Sequence, residues 1–350
     1  MKVRLIDIDS TIPNLALMQI SGYHKDQGDT VELINYSRIA AIEKNSTLEM
    51  YEDIPDIVYI SCIFTKNKAL ALDIFRKTEA KEIKIGGSGI NYDKLSIDMD
   101  IYFPDYSLYD GQVCQRCGHK LNYCKCKDRC EPGNIFYSLG FTTRGCIRNC
   151  EFCIVREKEG HFYKYQPISE FHHKDHDVVI CLDNNIYADE DWFNENMNYI
   201  LKNKLKFNAI QGMDIRILTP DIAHTLAKIK WHGQLHFAFD NMSDEKWVRR
   251  GIEILLDAGI KIRHNVQFYV LVGYNTTEEE DKYRCRLLKK LGTNPYVMPY
   301  IKNEWTNKIA RWANYKKAFW STDIDDYDQV IARQLGRERR ARLPSGQIQF

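Results

Sequence analysis

The stretch GFTTRGCIRNCEFC, Gly140 to Cys153, decides how the chain is read. Its cysteines, Cys146, Cys150 and Cys153, are spaced C-x3-C-x2-C and follow directly on Phe136 to Phe141, an apolar segment that reads as a strand. Three thiolates this close in sequence can hold three irons of a cubic four-iron cluster and leave the fourth without a protein ligand, where a small molecule can bind. A zinc loop is the competing reading, disfavoured because zinc in a closed site takes four ligands. Gly145, just before the first cysteine, permits close backbone approach at a tight turn.

Working outward, strand-like segments recur downstream at Val178 to Leu182, Phe207 to Gln211, Leu235 to Phe239, Ile262 to Val272 and Pro295 to Met298. Helical patterns fall between and after them, at Asp191 to Leu201, Pro220 to Ile229, Asp244 to Ala258, Glu278 to Leu291 and Glu304 to Phe319. Six β/α units in about 190 residues predict an incomplete TIM-type barrel, (β/α)6, over residues 135–320. Upstream, VRLIDI (Val3 to Ile8), TVELI, IVYISCIF (Ile57 to Phe64) and EIKIGGSGI alternate with helical stretches at Asn14 to Tyr23 and Lys68 to Thr78. That alternation predicts an α/β domain over residues 1–103, a doubly wound, Rossmann-like parallel sheet. Gly86, Gly87 and Gly89 follow a strand's carboxyl end, where open α/β sheets bind ligands, although a plain tight turn gives the same pattern. Residues 104–134 break the rhythm with a linker that carries a cysteine-rich insert, and residues 321–350 form a polar, basic tail.

The chain has 350 residues, 44% of them hydrophobic, enough for one large core or two medium ones. Lys and Arg number 49 against 48 Asp and Glu, a net charge of +1, so the chain-wide field of a generic nucleic-acid or membrane binder is missing. No apolar run approaches the roughly 20 residues of a bilayer span. The start MKVRLIDIDS lacks the basic-then-apolar plan of a signal peptide. A cytoplasmic protein without a membrane partner is expected. Of the 11 cysteines, eight lie between Cys114 and Cys153; in a reducing compartment such a cluster points to metal rather than disulfides.

The insert CQRCGHKLNYCKCKDRC supplies Cys114, Cys117, Cys124, Cys126 and Cys130. A C-x2-C-G knuckle folds two thiolates around one metal, and a second pair completes a tetrahedral zinc site. Cys114 and Cys117 are the strongest ligands, joined by two of the other three; an auxiliary iron–sulfur cluster is the alternative. Arg116, Lys120, Lys125, Lys127 and Arg129 form a basic patch that either touches nucleic acid or offsets the charge of four thiolates. His172, His173 and His176 of HHKDH are read as solvated side chains rather than metal ligands. Trp305, Trp312 and Trp320 are read as the core-facing side of the last helix. The tail GRERRARLPSGQ leaves a local nucleic-acid contact open.

The spacing and position of Cys146, Cys150 and Cys153, with the aromatic Phe152 before the last of them, resemble the radical S-adenosylmethionine (SAM) superfamily. The resemblance implies that these three cysteines ligate a 4Fe-4S cluster, whose open iron is chelated by the amino and carboxylate groups of SAM. It further implies that one electron, from a reductant such as flavodoxin or ferredoxin, cleaves SAM to methionine and a 5'-deoxyadenosyl radical that abstracts hydrogen from a substrate. The sequence does not name that substrate. Polar residues just past the strand ends would then line the SAM and substrate pockets: Asp183, Asn184 and Asn185, then Gln211, Asp214 and Arg216, then Asp240 and Asn241. Asn and Asp at such places also cap helices. LDNN stands where the family has its GGE segment, which leaves the contact to the SAM amine unassigned, and Gly273 in QFYVLVGYNTT is the counterpart of the adenine-side glycine.

A doubly wound domain ahead of such a barrel resembles the cobalamin-binding subgroup. Ser61 and the Gly86–Gly87 pair fall about where that domain's serine and double-glycine elements lie. Its DxHxxG element is absent, since IDIDSTIPN follows the first strand and His24 lies within a helix, so cobalamin would have no protein histidine. Two other readings accompany the radical SAM enzyme: a cobalamin-dependent methyltransferase of the same superfamily, and a non-enzymatic zinc and nucleic-acid-binding protein built on the insert and tail.

Overall fold

The computed structural model describes residues 1–36, 54–126 and 129–327. The basic stretch of the tail and Lys127 of the insert lie outside the described residues. The chain divides into two units, Met1–Asn184 with Asn198–Phe207, and Asn185–Met197 with Asn208–Phe350. The division falls inside the stretch expected as one barrel, after its second strand.

The first unit opens with β1 (Lys2–Asp7), β2 (Thr30–Asn35), β3 (Ile57–Ser61) and β4 (Glu82–Gly86), all parallel, in the order β2-β1-β3-β4. β1 and β3 are central and buried on both faces, so they read as continuous apolar runs rather than alternating ones. Ile6, Ile8, Ile34, Val58 and Ile60 pack with Ala71 and Ile74 of the helix Lys68–Lys77. The helix Leu15–Asp26 starts where Asn14 accepts from the Leu17 amide through Oδ1, satisfying a donor that the first turn leaves orphaned. Between β1 and β3 the strand order reverses, which makes their carboxyl ends the topological switch point of the sheet.

The insert forms a two-stranded antiparallel ladder, β5 (Val113–Cys114) with β6 (Pro132–Gly133). β7 (Tyr137–Gly140), the hairpin pair β8 (Thr143–Arg144) and β9 (Tyr163–Lys164), and β10 (Val178–Cys181) follow, with β7 and β10 parallel. The linker is tied to this part of the unit by Tyr106, whose hydroxyl donates to the Phe171 carbonyl at 2.7 Å and accepts from the Leu139 amide at 3.1 Å.

β11 (Lys206–Ala209) begins in the first unit and ends in the second, which continues with β12 (Lys230–Trp231) and the parallel sheet β13 (Leu235–Ala238), β14 (Val266–Val272) and β15 (Asn294–Pro299). The helices Pro220–Lys228, Glu245–Asp257 and Glu278–Lys290 fall close to the predicted spans, the first capped by Thr219 and the last by a Thr277–Glu280 capping box. Two expectations are corrected. Residues Ile262–Asn265 are a turn of helix rather than the start of a strand. β13 offers partners only from Val266 onward, and the Lys261 carbonyl instead accepts from Asn265. The span Glu304 to Phe319 is two helices, Glu304–Asn314 and Lys316–Ser321. Asn314 ends the first by pairing its side-chain amide with both the amide and the carbonyl of Val297, at 2.7 and 3.0 Å, as another strand would. Trp312 is buried, while Trp305 and Trp320 each donate an indole N–H, to Asp281 and Asn294.

The HHKDH histidines have protein partners of their own: His172 with Tyr199 and the His176 carbonyl, His176 with Ser138 at 3.2 Å and with the Tyr106 ring edge-on at 4.8 Å. His176 is buried, not solvated as expected. Burial, and then the neighbouring His173 and His172, hold its pKa down to about 4 from 6.5. The unfolded chain takes up this proton near 6.5 and the folded chain only near 4, so the stability contributed is complete above 6.5 and lost as pH falls through that window. Chemical denaturation followed across that interval should show midpoints falling with pH, and His176→Phe should flatten the decline.

Candidate functional site

The cysteine loop is set in place from the strand ends. Leu182 donates its amide to the Gly140 carbonyl at 2.9 Å, keeping the exit of β10 beside that of β7. The next side chain, Asp183, turns onto the connection between β7 and β8. Its carboxylate accepts from the Thr142 amide at 3.0 Å and hydroxyl at 2.6 Å, and from the Thr143 amide at 2.5 Å and hydroxyl at 2.7 Å. All three residues are buried. Burial pushes the Asp183 carboxyl up, against the opposing pull of these hydrogen bonds.

From there β8 and β9 close residues 145–162 into a long hairpin. Gly145 lies at φ +69°, in the left-handed region, where a Cβ would run into the His161 carbonyl oxygen, so only glycine fits without strain. The Gly145 amide donates to Glu159 Oε2 at 3.0 Å, and the same oxygen accepts from Asn184 Nδ2 at 3.0 Å and stands 3.4 Å from Arg144 Nε. The Arg144 guanidinium lies over the Phe141 ring at 4.1 Å. Glu159 is a buried carboxylate that sequence reading missed. It sits in a run of charges, REKE, and its one sequence signal is the glycine that follows.

Around the sulfurs, the Arg148 amide donates to Cys146 Sγ at 3.3 Å, Arg156 donates to the Cys146 carbonyl at 3.2 Å, and the Cys153 amide closes a turn on the Cys150 carbonyl at 3.0 Å. Cys146, Cys150 and the nearby Phe152 are half-buried, and Cys153 is exposed. A cubic cluster places its thiolates on different irons; this loop offers three thiols on one anchored turn, with one N–H donor, that of Arg148, toward sulfur, a donor set of the kind such a cluster takes.

The remaining predicted residues are distributed as follows. Asn184 is engaged by Glu159. Asn185, which falls in the second unit, is 1% exposed, and neither atom of its side-chain amide finds a hydrogen-bond partner among the described residues. Leaving such a group unpaired costs on the order of 1–3 kcal/mol. Also in the second unit, Gln211 is exposed in the turn after β11, and Asp214 caps the turn Ile215–Ile217 while holding Arg216 Nε at 2.6 Å. Asp244 stands 3.7 Å from the same guanidinium. Asp240 accepts from the Leu271 amide at 2.9 Å, with burial raising its pKa. Gly273 follows β14 beside Thr306.

In the insert the ligand atoms of Cys114, Cys117, Cys124 and Cys126 all lie within 4.8 Å of one another. Cys130 lies outside this group; the neighbouring Cys124, then burial, then Cys114 push its thiol up to about 12. Burial pushes Cys114 up, but the amides of Arg116 and Cys117 and the thiols of Cys124 and Cys130 outweigh it and bring Cys114 down to about 6.

The switch point of the first sheet is engaged by the chain itself. The Ile8 amide donates to the Ser61 carbonyl at 3.0 Å, and Asp9 accepts from the amides of Ile63 (2.7 Å) and Phe64 (2.9 Å) and from Asn67 Nδ2 (2.9 Å). Asn14 Nδ2 donates to Ser61 Oγ at 2.9 Å. Gly87, at φ +99°, lies so close to the next loop that a Cβ would meet the Cys62 carbonyl. His24 is held by Asp29 and Tyr59. Ser61 and Gly87, assigned to cobalamin by resemblance, are engaged with the domain's own loops.

No protein-family model matches the chain, and no curated protein matches it in sequence. Among solved structures the chain is similar to the radical SAM methyltransferase TsrM from Kitasatospora setae, determined with cobalamin and a 4Fe-4S cluster bound. The TM-score is 0.59 at 12% identity, covering 85% of this chain and 74% of that one. At such identity the likeness is one of fold.

Glu159 holds the cysteine loop without touching the sulfurs, so its loss should act as loss of an outer-shell partner does, weakening metal retention by about 10–100-fold. Iron retained after anaerobic reconstitution should fall in Glu159→Ala and recover in Glu159→Gln, which keeps an acceptor for the Gly145 amide. Equal retention in both variants and the parent would remove Glu159 from this role.

Proposed function

We propose that the chain is a radical SAM enzyme, with a 4Fe-4S cluster on Cys146, Cys150 and Cys153 and hydrogen abstraction from a substrate as its reaction. The observation that carries this reading is the anchored C-x3-C-x2-C turn, one thiolate short of a closed site and clamped by Asp183 and Glu159. When bound, the cluster supplies the electron that cleaves SAM to methionine and a 5'-deoxyadenosyl radical. The residues of the chain do the rest. Cys146, Cys150 and Cys153 hold three irons as thiolates. The Arg148 N–H stabilises negative charge on Cys146 Sγ, one of the levers on cluster potential. Asp183 and Glu159 fix where the turn sits. Asn185, whose buried side-chain amide finds no partner among the described residues, is a side chain able to take a polar ligand group. Phe152, Asn184, Gln211, Asp214, Arg216, Asp240 and Gly273 remain assigned to SAM and substrate on the family resemblance. A low-potential one-electron donor such as flavodoxin or ferredoxin is the partner the reaction needs. Among the described residues no helix is long and apolar enough to cross a membrane.

TsrM is described as a methyltransferase with cobalamin. In this chain the groups at the switch point are engaged with one another, which supports hydrogen abstraction without a corrinoid. Anaerobically reconstituted protein with dithionite and SAM should release 5'-deoxyadenosine, and Cys150→Ala should reduce this to background. Release undiminished in Cys150→Ala, or protein that takes up zinc and no iron, would overturn the assignment.

A further inference from the structure

Two features of the first unit are unexplained by this chemistry: the four convergent thiols of the insert, and a lysine with no exposure at all. Lys120 Nζ lies 2.6 Å from Asp7 Oδ2 at the end of β1, with both side chains at 0% exposure, and 3.2 Å from Ser10 Oγ. Asp7 is further bonded by the Tyr109 hydroxyl at 2.8 Å and by Ser10. The lysine's own amide donates to the Thr11 carbonyl at 3.1 Å. The insert thus reaches over to the β1 side of the switch point, where a sheet of this order carries its ligand.

What holds Lys120 there is its position at the foot of the knuckle. The Cys114 amide donates to the His119 carbonyl and the Gly118 amide to the Cys114 carbonyl, both at 2.9 Å, and Val113 bridges to Lys120. Cys117 lies three residues before Lys120 and Cys124 four after it, so the thiols flank the lysine in sequence. Their spacing selects the kind of metal. Four sulfurs at about 2.3 Å from one zinc stand about 3.8 Å apart in a tetrahedron. Cys117 and Cys124 are 3.6 Å apart, and all four atoms fall within 4.8 Å. A cluster would place its thiolates on different irons and hold them farther apart.

We propose that Cys114, Cys117, Cys124 and Cys126 bind one zinc ion in a closed tetrathiolate site, and that this zinc knuckle seats Lys120 at the switch point, so that the chain itself occupies the place of a ligand. Each ligating thiol gives up its proton as it takes the ion. Cys130, outside the group of four convergent sulfurs, is not a ligand. The inference does not depend on SAM cleavage, and its readouts are zinc, lysine reactivity and corrinoid retention.

The test uses the full-length, anaerobically reconstituted protein. Metal analysis should give about one zinc per chain, retained in Cys130→Ser and lost in Cys117→Ser, with iron the same in all three. Amine labelling followed by mass spectrometry should find Lys120 protected, and removal of zinc from the parent protein with a chelator should raise its labelling by about tenfold or more while Lys282 in the second unit is unchanged. The chelator arm stands even where Cys117→Ser fails to accumulate. Hydroxocobalamin should not co-elute with the zinc-loaded protein on gel filtration. Iron leaving with Cys117→Ser, zinc lost from Cys130→Ser, Lys120 still protected without zinc, or stoichiometric corrinoid on the zinc-loaded protein would each overturn the proposal.

Discussion

The site depends on a single carboxylate. Asp183 faces two consecutive threonines and takes both their amides and both their hydroxyls. That joins the exit of β10 to the turn after β7 and fixes where the hairpin carrying Cys146, Cys150 and Cys153 begins. Leaving such buried N–H groups without an acceptor generally costs about 1–3 kcal/mol each. A few residues on, Glu159 repeats the device for Gly145. Both anchors bond to main chain and neighbouring side chains of the loop and lie outside the sulfurs' own contacts.

Fully buried charge appears elsewhere in the same arrangement. Lys120 meets Asp7 at the end of β1, and Arg284 meets Asp281 at 2.6 Å while donating to the carbonyls of Phe239, Asp240 and Leu271. Removing one member of such a pair generally costs about 3–5 kcal/mol. Both sit where strands run out and backbone carbonyls or hydroxyls gather. Each pair is satisfied by more than its opposite charge.

Much of this was legible in the sequence, and the reasons it stopped are physical. The alternation of apolar runs with amphipathic stretches located the strands of both units, because parallel strands buried on two faces show as unbroken Val and Ile runs. It failed at Ile262 and Asn314. Whether Ile262–Asn265 could extend β14 depended on how far β13 reached, and whether the last helix continued depended on Val297 being near enough for Asn314 to pair with it; neither is a local property. The grouping of the insert's cysteines was legible from spacing, and the structure narrows its five candidates to four convergent ones. The polar residues past the strand ends were harder. Asp214 is bonded to Arg216 and Asp240 to the Leu271 amide, while the buried side-chain amide of Asn185 finds no partner among the described residues. A residue type at a strand end marks a place where polar groups are needed, but ligand and main chain need them equally.

The anchors have one property in common: in most of them a side chain binds main chain. Asp183 to the amides of Thr142 and Thr143, Glu159 to Gly145, Asp9 to Ile63 and Phe64, Asn314 to Val297, Arg284 to three carbonyls, all address atoms that every residue carries. The addressed positions are thereby free to drift, and the identity of the fold is concentrated in the few residues that do the addressing. Two chains can then keep one architecture while agreeing at only 12% of aligned positions. Between chains alike in this way, a matching carboxylate or asparagine at a strand end then says more about a shared fold than a long stretch of similar core.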